Sequence, residues 1–201
     1  MNVPVMQALR LKGMGTPDVL AAATGLDEGA VTAALTELLA ADDVAERNGR
    51  FRVTREGRDR LDVALAEERE AVDRAAVTAL YEEFTPLNSG FKELVHRWQL
   101  RDGQPNDHAD AAYDAGVLAD LDALHDRFEP LLGRVAGIVP RLSPYPGRFH
   151  AALTRVRAGE SEWFLRPMID SYHTVWFELH EDLIGLAGLT RLEEAAAGRA
   201  E

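Results

Sequence analysis

The sequence predicts a mostly α-helical protein with one short β-hairpin near its N-terminus. Apolar residues recur at helical spacing along most of the chain. Between residues 44 and 54 this pattern gives way to two short alternating segments that flank Asn48-Gly49, a pair typical of a two-residue hairpin turn. The net charge is −12, yet six arginines face two acids between residues 47 and 60. The hairpin therefore concentrates positive charge in an acidic protein.

Three short helices are predicted before the hairpin. The first has apolar residues at near-helical spacing and ends at Gly13. The second opens with Thr16 as its cap and Pro17 at its first position, and it ends at Gly25. The third follows the cap Asp27. Its inward-facing residues are predicted to be Val31, Leu35, Leu38 and Leu39.

The hairpin consists of "VAER", the Asn48-Gly49 turn and "RFRVT", and "REGRDRL" opens the helix that follows. The turn between the second and third helices, "TGLDEG", is as short as a helix-turn-helix requires. Three helices, a hairpin and a returning helix make a winged helix-turn-helix domain, which we place at residues 1–66.

The rest of the chain, residues 67–201, is predicted to be an all-α helical bundle. Its first helix is expected to be interrupted at "FTPLNSG", where Pro86 and Gly90 break the pattern. "RDGQPND" is expected to be a loop, with Asp107 capping the next helix. The last helix begins near Ser161 and bends or starts afresh at Pro167.

Composition excludes several classes of protein. No apolar run approaches the roughly 18 residues of a membrane span, and the N-terminus lacks the features of a signal peptide. The absence of cysteine excludes disulfides, cysteine nucleophiles and thiolate metal sites. No nucleotide-binding loop, nucleophile elbow or zinc-protease motif occurs. We expect a cytoplasmic protein that is not an enzyme and has no cofactor and no membrane partner.

The segment "LAAATGLDEGAVTAALTELLAADDVAERNGRFRVTREGRDRL" resembles the winged-helix core of MarR-like bacterial transcriptional regulators. The resemblance covers about a third of the chain. The positions that carry the pattern of the second wing strand and the turn after it are Gly49, Phe51, Val53, Thr54 and Gly57. The resemblance implies a homodimer that binds double-stranded DNA and responds to a small-molecule effector.

On this resemblance the third helix enters the major groove and the hairpin contacts the backbone or the minor groove. The candidate DNA-binding residues are Thr32, Thr36, Arg47, Arg50, Arg52 and Arg55. The third helix departs from the pattern, because it carries Asp27, Glu28 and Glu37 and no basic residue. One alternative is a winged helix that docks proteins without binding DNA. In that case the arginines keep an exposed strand from pairing with another chain.

The bundle contains the three tryptophans and all six histidines, and interhelical spaces in bundles commonly hold ligands. The candidate effector-binding residues are Trp98, Arg101, Tyr113, His173, Trp176 and His180. A histidine in such a position is also a common packed core residue. His173 and His180 are seven residues apart, about 10 Å along a helix, so they are poor partners for one metal ion.

A second resemblance competes with the first. "RFHAALTRVRAGESEWFLRPMIDSYH" is similar in rhythm to the metal-holding effector domain of FCD regulators within the GntR group. This resemblance implies that His150 and His173 are metal ligands, with Asp107 or His108 upstream. It gives a metal-dependent regulator as a further alternative.

Overall fold

A computed structural model describes residues 1–190, and this part of the protein is mostly helical. The helices are α1 (Val3–Lys12), α2 (Pro17–Thr24), α3 (Glu28–Ala40), α4 (Arg55–Ala71), α5 (Arg74–Gln99), α6 (Ala111–Ala136), α7 (Tyr145–Arg157), α8 (Glu162–Leu165) and α9 (Tyr172–Ala187). Strands β1 (Val44–Arg47) and β2 (Arg50–Val53) pair antiparallel, as do β3 (Leu100–Arg101) and β4 (Gln104–Pro105). A 3₁₀ turn, Pro140–Leu142, links α6 and α7.

The prediction of a hairpin after three helices is confirmed. Asn48 and Gly49 have φ values of 55° and 74°, the left-handed pair that a two-residue type I′ turn requires. The backbones of Gly15 and Phe51 exchange hydrogen bonds of 3.0 and 2.9 Å, so the segment between α1 and α2 lies alongside β2. The expectation that Leu39 faces inward is wrong, because its side chain is exposed.

Two hydrophobic cores are formed by successive parts of the sequence. The first is formed by α1 to α4 and the hairpin, with buried residues from Val5 to Leu61. The second is formed by α5 to α9, with buried residues from Val77 to Leu186. Trp176 lies at the centre of the second core, with its ring centroid 4.4 Å from that of Phe91 and 4.7 Å from that of Phe128.

The predicted interruption at Pro86 and Gly90 is wrong, because α5 runs through both. Pro86 and Glu82, whose carbonyl loses its helical partner, lie on the exposed side of the helix, where water can satisfy that carbonyl. The break occurs earlier, at Val72, which is extended. Asp73 then caps α5 by accepting hydrogen bonds from the amides of Ala75 and Ala76.

Two further expectations for residues 67–201 need correction. The segment expected to be a loop contains the β3–β4 pair, so this region is not all-α. Its two-residue turn, Asp102-Gly103, has φ values of 51° and 75°, which allow a tight hairpin. Asp110 rather than Asp107 caps α6. Residues 191–201 of the predicted domain lie outside the described residues.

Candidate functional site

The basic hairpin presents three arginines on one face. Arg47 and Arg50 are cross-strand partners, and Arg52 follows Arg50 by two residues, so all three side chains leave the same side of the ladder. Phe51 and Val53 point the opposite way, toward the first core. Arg55 follows at the start of α4. All four arginines are exposed.

These arginines have few partners. Within residues 1–190 the side chains of Arg47, Arg52 and Arg55 make no hydrogen bond or ion pair. Arg50 contacts Met14, with Nη1 3.6 Å from Sδ. The hairpin acid Glu46 accepts a 2.6 Å hydrogen bond from the amide of Gly49 in the turn. The positive charge of this surface is therefore available to an external anion.

The exposed face of α3 is different in character. Thr32 and Thr36 are exposed, but their hydroxyls donate to the carbonyls one turn back, of Glu28 at 2.7 Å and of Thr32 at 2.9 Å. The carboxylates of Glu28 and Glu37 flank them. This face offers hydroxyl oxygens as acceptors and negative charge, which suits a nucleic-acid backbone poorly.

A buried charge network, which the sequence interpretation missed, joins the two cores. Lys12 of α1 donates to Asp170 and Glu178 at 2.8 Å each. From the opposite side, Arg148 of α7 donates to both oxygens of Asp170, at 2.8 and 3.1 Å, and to Glu178 at 2.5 Å. The side chains of Lys12, Arg148 and Glu178 are at most 10% exposed. Two cations and two carboxylates thus compensate one another inside the protein.

A second polar group continues this junction network. Asp182 of α9 accepts hydrogen bonds of 2.6 Å from Gln7 of α1 and from the hydroxyl of Tyr145. Arg141 pairs with Asp182 at 2.6 Å and with Glu68 of α4 at 2.7 Å. Burial, followed by the negative charge of Asp182, raises the pKa of Tyr145 well above its usual range. The junction is therefore held by buried polar contacts from α1, α4, α7 and α9.

Asp170 is the carboxylate of the network that is most exposed, at 25% of its side chain. Its partial burial alone would raise its pKa. The hydrogen bonds from Arg148 and the positive charges of Arg148 and Lys12 outweigh this and hold the pKa at about 2. Asp170 is consequently ionised at neutral pH and fixes both cations.

Next to the network an open cavity of about 490 Å³ lies between the α1–α2 segment and residues 167–178. Its floor includes Lys12, Asp170 and Glu178. Its walls include Met14, Val19, Met168 and Phe177. Arg50 of the hairpin also borders it. We call this space the junction cavity.

The six predicted effector-binding residues fall into two groups. Trp98, Arg101 and Tyr113 lie around the β3–β4 pair. The Arg101 guanidinium sits 4.8 Å from the centre of the Tyr113 ring and pairs with Asp110 at 2.9 Å. The ring of Trp98 packs against His108 with centroids 4.6 Å apart. All three side chains therefore make contacts within the fold.

The second group, His173, Trp176 and His180, borders a cleft of about 60 Å³ on α9. Trp176 donates to Asn88 at 2.9 Å, and Nε2 of buried His180 is 3.2 Å from the hydroxyl of Tyr81. The ring of His173 stacks on Phe91 with centroids 6.0 Å apart. Trp176 and His180 are thus core residues, whereas His173 also lines the junction cavity.

The ligand set implied by the FCD resemblance is not assembled. Among residues 1–190 no group of three or more histidine, aspartate or glutamate side chains lies close enough to hold a metal ion. His150 is exposed on α7, and His108 forms a 2.9 Å pair with Asp114. In the same part of the chain, no helix has the length and apolar character to cross a membrane.

One signal in the sequence points to the junction network. Glu178 and Asp182 interrupt the apolar stripe of the last helix at i and i+4, and Arg148 stands beside the buried Phe149. Charged residues on a core-facing stripe are buried only when they are paired. Their partners come from distant parts of the chain, so the stripe reveals the buried charges but not the pairing.

No protein family, curated protein or solved structure matches this chain.

Proposed function

We propose that the protein is a DNA-binding transcriptional regulator whose hairpin contacts the phosphate backbone. The observation that carries this proposal is the cluster of exposed hairpin arginines without carboxylate partners. Elsewhere in residues 1–190 most arginines are neutralised within the protein. Arg97, Arg134, Arg141, Arg148, Arg155 and Arg157 each pair with a carboxylate. The sequence contains 34 acids, yet within residues 1–190 none of them pairs with Arg47, Arg50, Arg52 or Arg55.

The order of the elements supports a winged helix-turn-helix. Three helices precede β1–β2, and α4 returns to pack on α1. The backbone pairing of Gly15 with Phe51 adds a single antiparallel bridge beside β2. This arrangement agrees with the MarR-like resemblance and places the arginine face at the edge of the domain.

The acidic face of α3 determines the kind of binding we propose. Phosphate contacts from Arg47, Arg50 and Arg52 give affinity but little sequence information. Thr32 and Thr36 supply limited base contacts. A regulator therefore needs two hairpins on one duplex, and we propose that the protein acts as a homodimer on two half-sites.

The test is fluorescence anisotropy with a labelled duplex at several salt concentrations. The double variant Arg50→Ala/Arg52→Ala is expected to weaken binding at least about tenfold, by a similar factor for unrelated duplexes. It should also reduce the slope of log affinity against log salt by about 1 to 2. The matched control is Arg155→Ala/Arg157→Ala, which removes the same charge from exposed ion pairs on α7. Equal loss in both double variants would show that net charge, not the hairpin, governs binding.

The acidic face of α3 with its exposed Leu39 favours one other function, docking to a partner protein through the winged helix. Absence of duplex binding even at low salt would support this function and overturn the first. Phosphate binding weakens steeply with salt, whereas an apolar docking surface does not.

A further inference from the structure

More than half of the large hydrophobic side chains that are exposed in residues 1–190 border the junction cavity. Seven large hydrophobic side chains are exposed in residues 1–190, and four of them, Met14, Val19, Met168 and Phe177, border this cavity. They come from the α1–α2 segment, α2, the segment before α9, and α9 itself. Exposed apolar side chains scattered singly need no explanation, but four converging on one cavity mark a binding surface.

The size of the cavity suits a small molecule. Its volume of about 490 Å³ lies within the roughly 300–1,000 Å³ typical of ligand pockets. Met14 and Met168 supply flexible, polarisable walls that adapt to an occupant. Met168 is 83% exposed, and its φ of 70° lies in the left-handed region that non-glycine residues rarely adopt.

The floor of the cavity determines the charge of the occupant. Lys12 and Arg148 neutralise Asp170 and Glu178, and each carboxylate oxygen accepts a hydrogen bond. Asp18 and Arg50 also border the cavity and carry opposite charges, so these six charged groups sum to zero, although no ion pair joins Asp18 to Arg50 among residues 1–190. A charged ligand would add an uncompensated charge beside a closed neutral network. An uncharged ligand adds none.

The floor also offers one hydrogen-bond donor. An ammonium group has three N–H bonds, and Lys12 uses two of them on Asp170 and Glu178. A carbonyl or ether oxygen of an occupant would accept the third. The four apolar side chains, with Lys12, Thr16 and Thr174 among the polar lining residues, suit an amphipathic ligand that carries an acceptor group.

We propose that the junction cavity binds an uncharged, largely apolar small molecule that carries a hydrogen-bond acceptor. Its regulatory consequence rests on the proposed function. Met14 contacts Arg50, and the next residue, Gly15, is hydrogen-bonded to Phe51 of β2. A cavity wall and the basic hairpin thus form one connected unit, so an occupant that displaces Met14 alters the presentation of Arg50 to DNA.

The cavity is tested without DNA by titrating the full chain with Nile red, an uncharged dye with a carbonyl acceptor. We expect saturable binding of one dye per chain with enhanced, blue-shifted emission. Val19→Gln and Met168→Gln should each weaken it by about tenfold, because each places a polar group in an apolar wall. The matched control is Val63→Gln, which makes the same change on an exposed helical valine outside the cavity. The control should bind dye as the parent does.

Three results would overturn the cavity proposal. The first is binding that does not saturate, and the second is equal weakening by Val63→Gln. The third is tighter binding of the anionic dye anilinonaphthalene sulfonate than of Nile red. Thermal melts of each variant confirm that these exposed substitutions leave the fold intact. A further result would also overturn the proposal: the parent is a dimer that binds no dye, and Val19→Gln is a monomer. The surface would then be the contact between two copies of the chain.

A second arm separates the cavity from the DNA function. Duplex affinity is measured with and without saturating Nile red. A change of at least about threefold supports coupling through Met14 and Arg50, and an unchanged affinity overturns that coupling. The two proposals can also fail separately. If the protein binds no duplex but binds the dye, and Val19→Gln weakens dye binding, the proposed function is wrong and the cavity proposal is supported.

Discussion

The basic hairpin and the junction network use the same residue type in opposite ways. Arg148 and Arg141 are buried, and each meets two carboxylates. Arg47 and Arg52 are exposed and meet no carboxylate among residues 1–190. Buried guanidinium groups must be neutralised by the protein itself, because water cannot solvate them. Exposed guanidinium groups remain available to anions from outside.

This difference assigns separate tasks to the two regions. The network connects α1 and α4 of the first core to α7 and α9 of the second, so it fixes how the hairpin domain sits on the bundle. The hairpin contributes to the packing mainly through Val44, Phe51 and Val53. Substitutions in the network should therefore affect stability, and substitutions on the arginine face should affect binding.

The largest effect is expected for Arg148→Ala. The change leaves Glu178 buried with Lys12 as its single cation and removes two hydrogen bonds from Asp170. Breaking a buried pair from one side costs about 3–5 kcal/mol of unfolding free energy. Urea denaturation measures it. Arg155→Ala, which breaks an exposed pair with Glu160, is the control and should cost less than about 1 kcal/mol.

If Arg148→Ala were as stable as Arg155→Ala, the buried arginines of the network would not contribute more to stability than exposed arginines do. The buried carboxylates would then be solvated or protonated in the folded protein.

Gly57→Ala tests how the hairpin is attached to α4. A Cβ atom at this position would lie 2.0 Å from the carbonyl oxygen of Asp43, a backbone atom that also accepts the amide of Thr54. Because a backbone cannot yield as a side chain does, we expect a loss of at least about 3 kcal/mol. Gly116→Ala provides the contrast. It meets nothing within 4 Å in α6 and should gain about 0.5–1 kcal/mol. Equal melting temperatures for the two variants would contradict the close approach.

The pH dependence of stability reports on Asp170. Its pKa is about 2 in the folded protein against an ordinary value of 3.8, so its ionised form stabilises the fold above about pH 4. This contribution, about 2 kcal/mol, is lost as the pH falls from about 4 to 2. Asp170→Asn lacks it, so its unfolding free energy should fall less than that of the parent over this interval. Parallel curves would show that Asp170 is not held ionised by Arg148 and Lys12.

The hairpin was predictable from sequence because its determinants are local. Asn48 and Gly49 specify the turn, and alternation specifies which residues leave each face. The junction network was not predictable, because Lys12 and Glu178 are 166 residues apart and their pairing depends on how two cores dock. Pro86 misled the prediction for a related reason. The free-energy cost of a proline inside a helix depends on whether water can reach the carbonyl that loses its partner, here that of Glu82. The exposure of that carbonyl depends on how the helix packs.

The same limit applies to the candidate sites. The hairpin arginines could be named in advance, since a charged residue on an alternating strand is exposed on one face. The predicted effector-binding residues share only their type, since they are aromatic and polar groups in a helical bundle. The structure uses Trp176 and His180 to pack and satisfy the second core. The cavity instead lies between the two cores, where no single segment of sequence defines it.

The smallest effect on stability is expected for the hairpin arginines, and it is the most informative about how the hairpin differs from the junction network. Arg47→Ala, Arg52→Ala and Arg55→Ala should each change the unfolding free energy by no more than about 0.5 kcal/mol, because none of these side chains holds a partner among residues 1–190. The double variant Arg47→Ala/Arg52→Ala should change the unfolding free energy by nearly the sum of the two single changes. A small gain in stability is expected from the relief of repulsion between like charges. Chemical denaturation at low and high salt measures both. A loss of 2 kcal/mol or more would mean that the arginines hold the hairpin in place, and their exposure would then no longer indicate an external anion. Unchanged stability, together with duplex binding that weakens more than in Arg155→Ala/Arg157→Ala, is the result expected of a surface that contacts DNA.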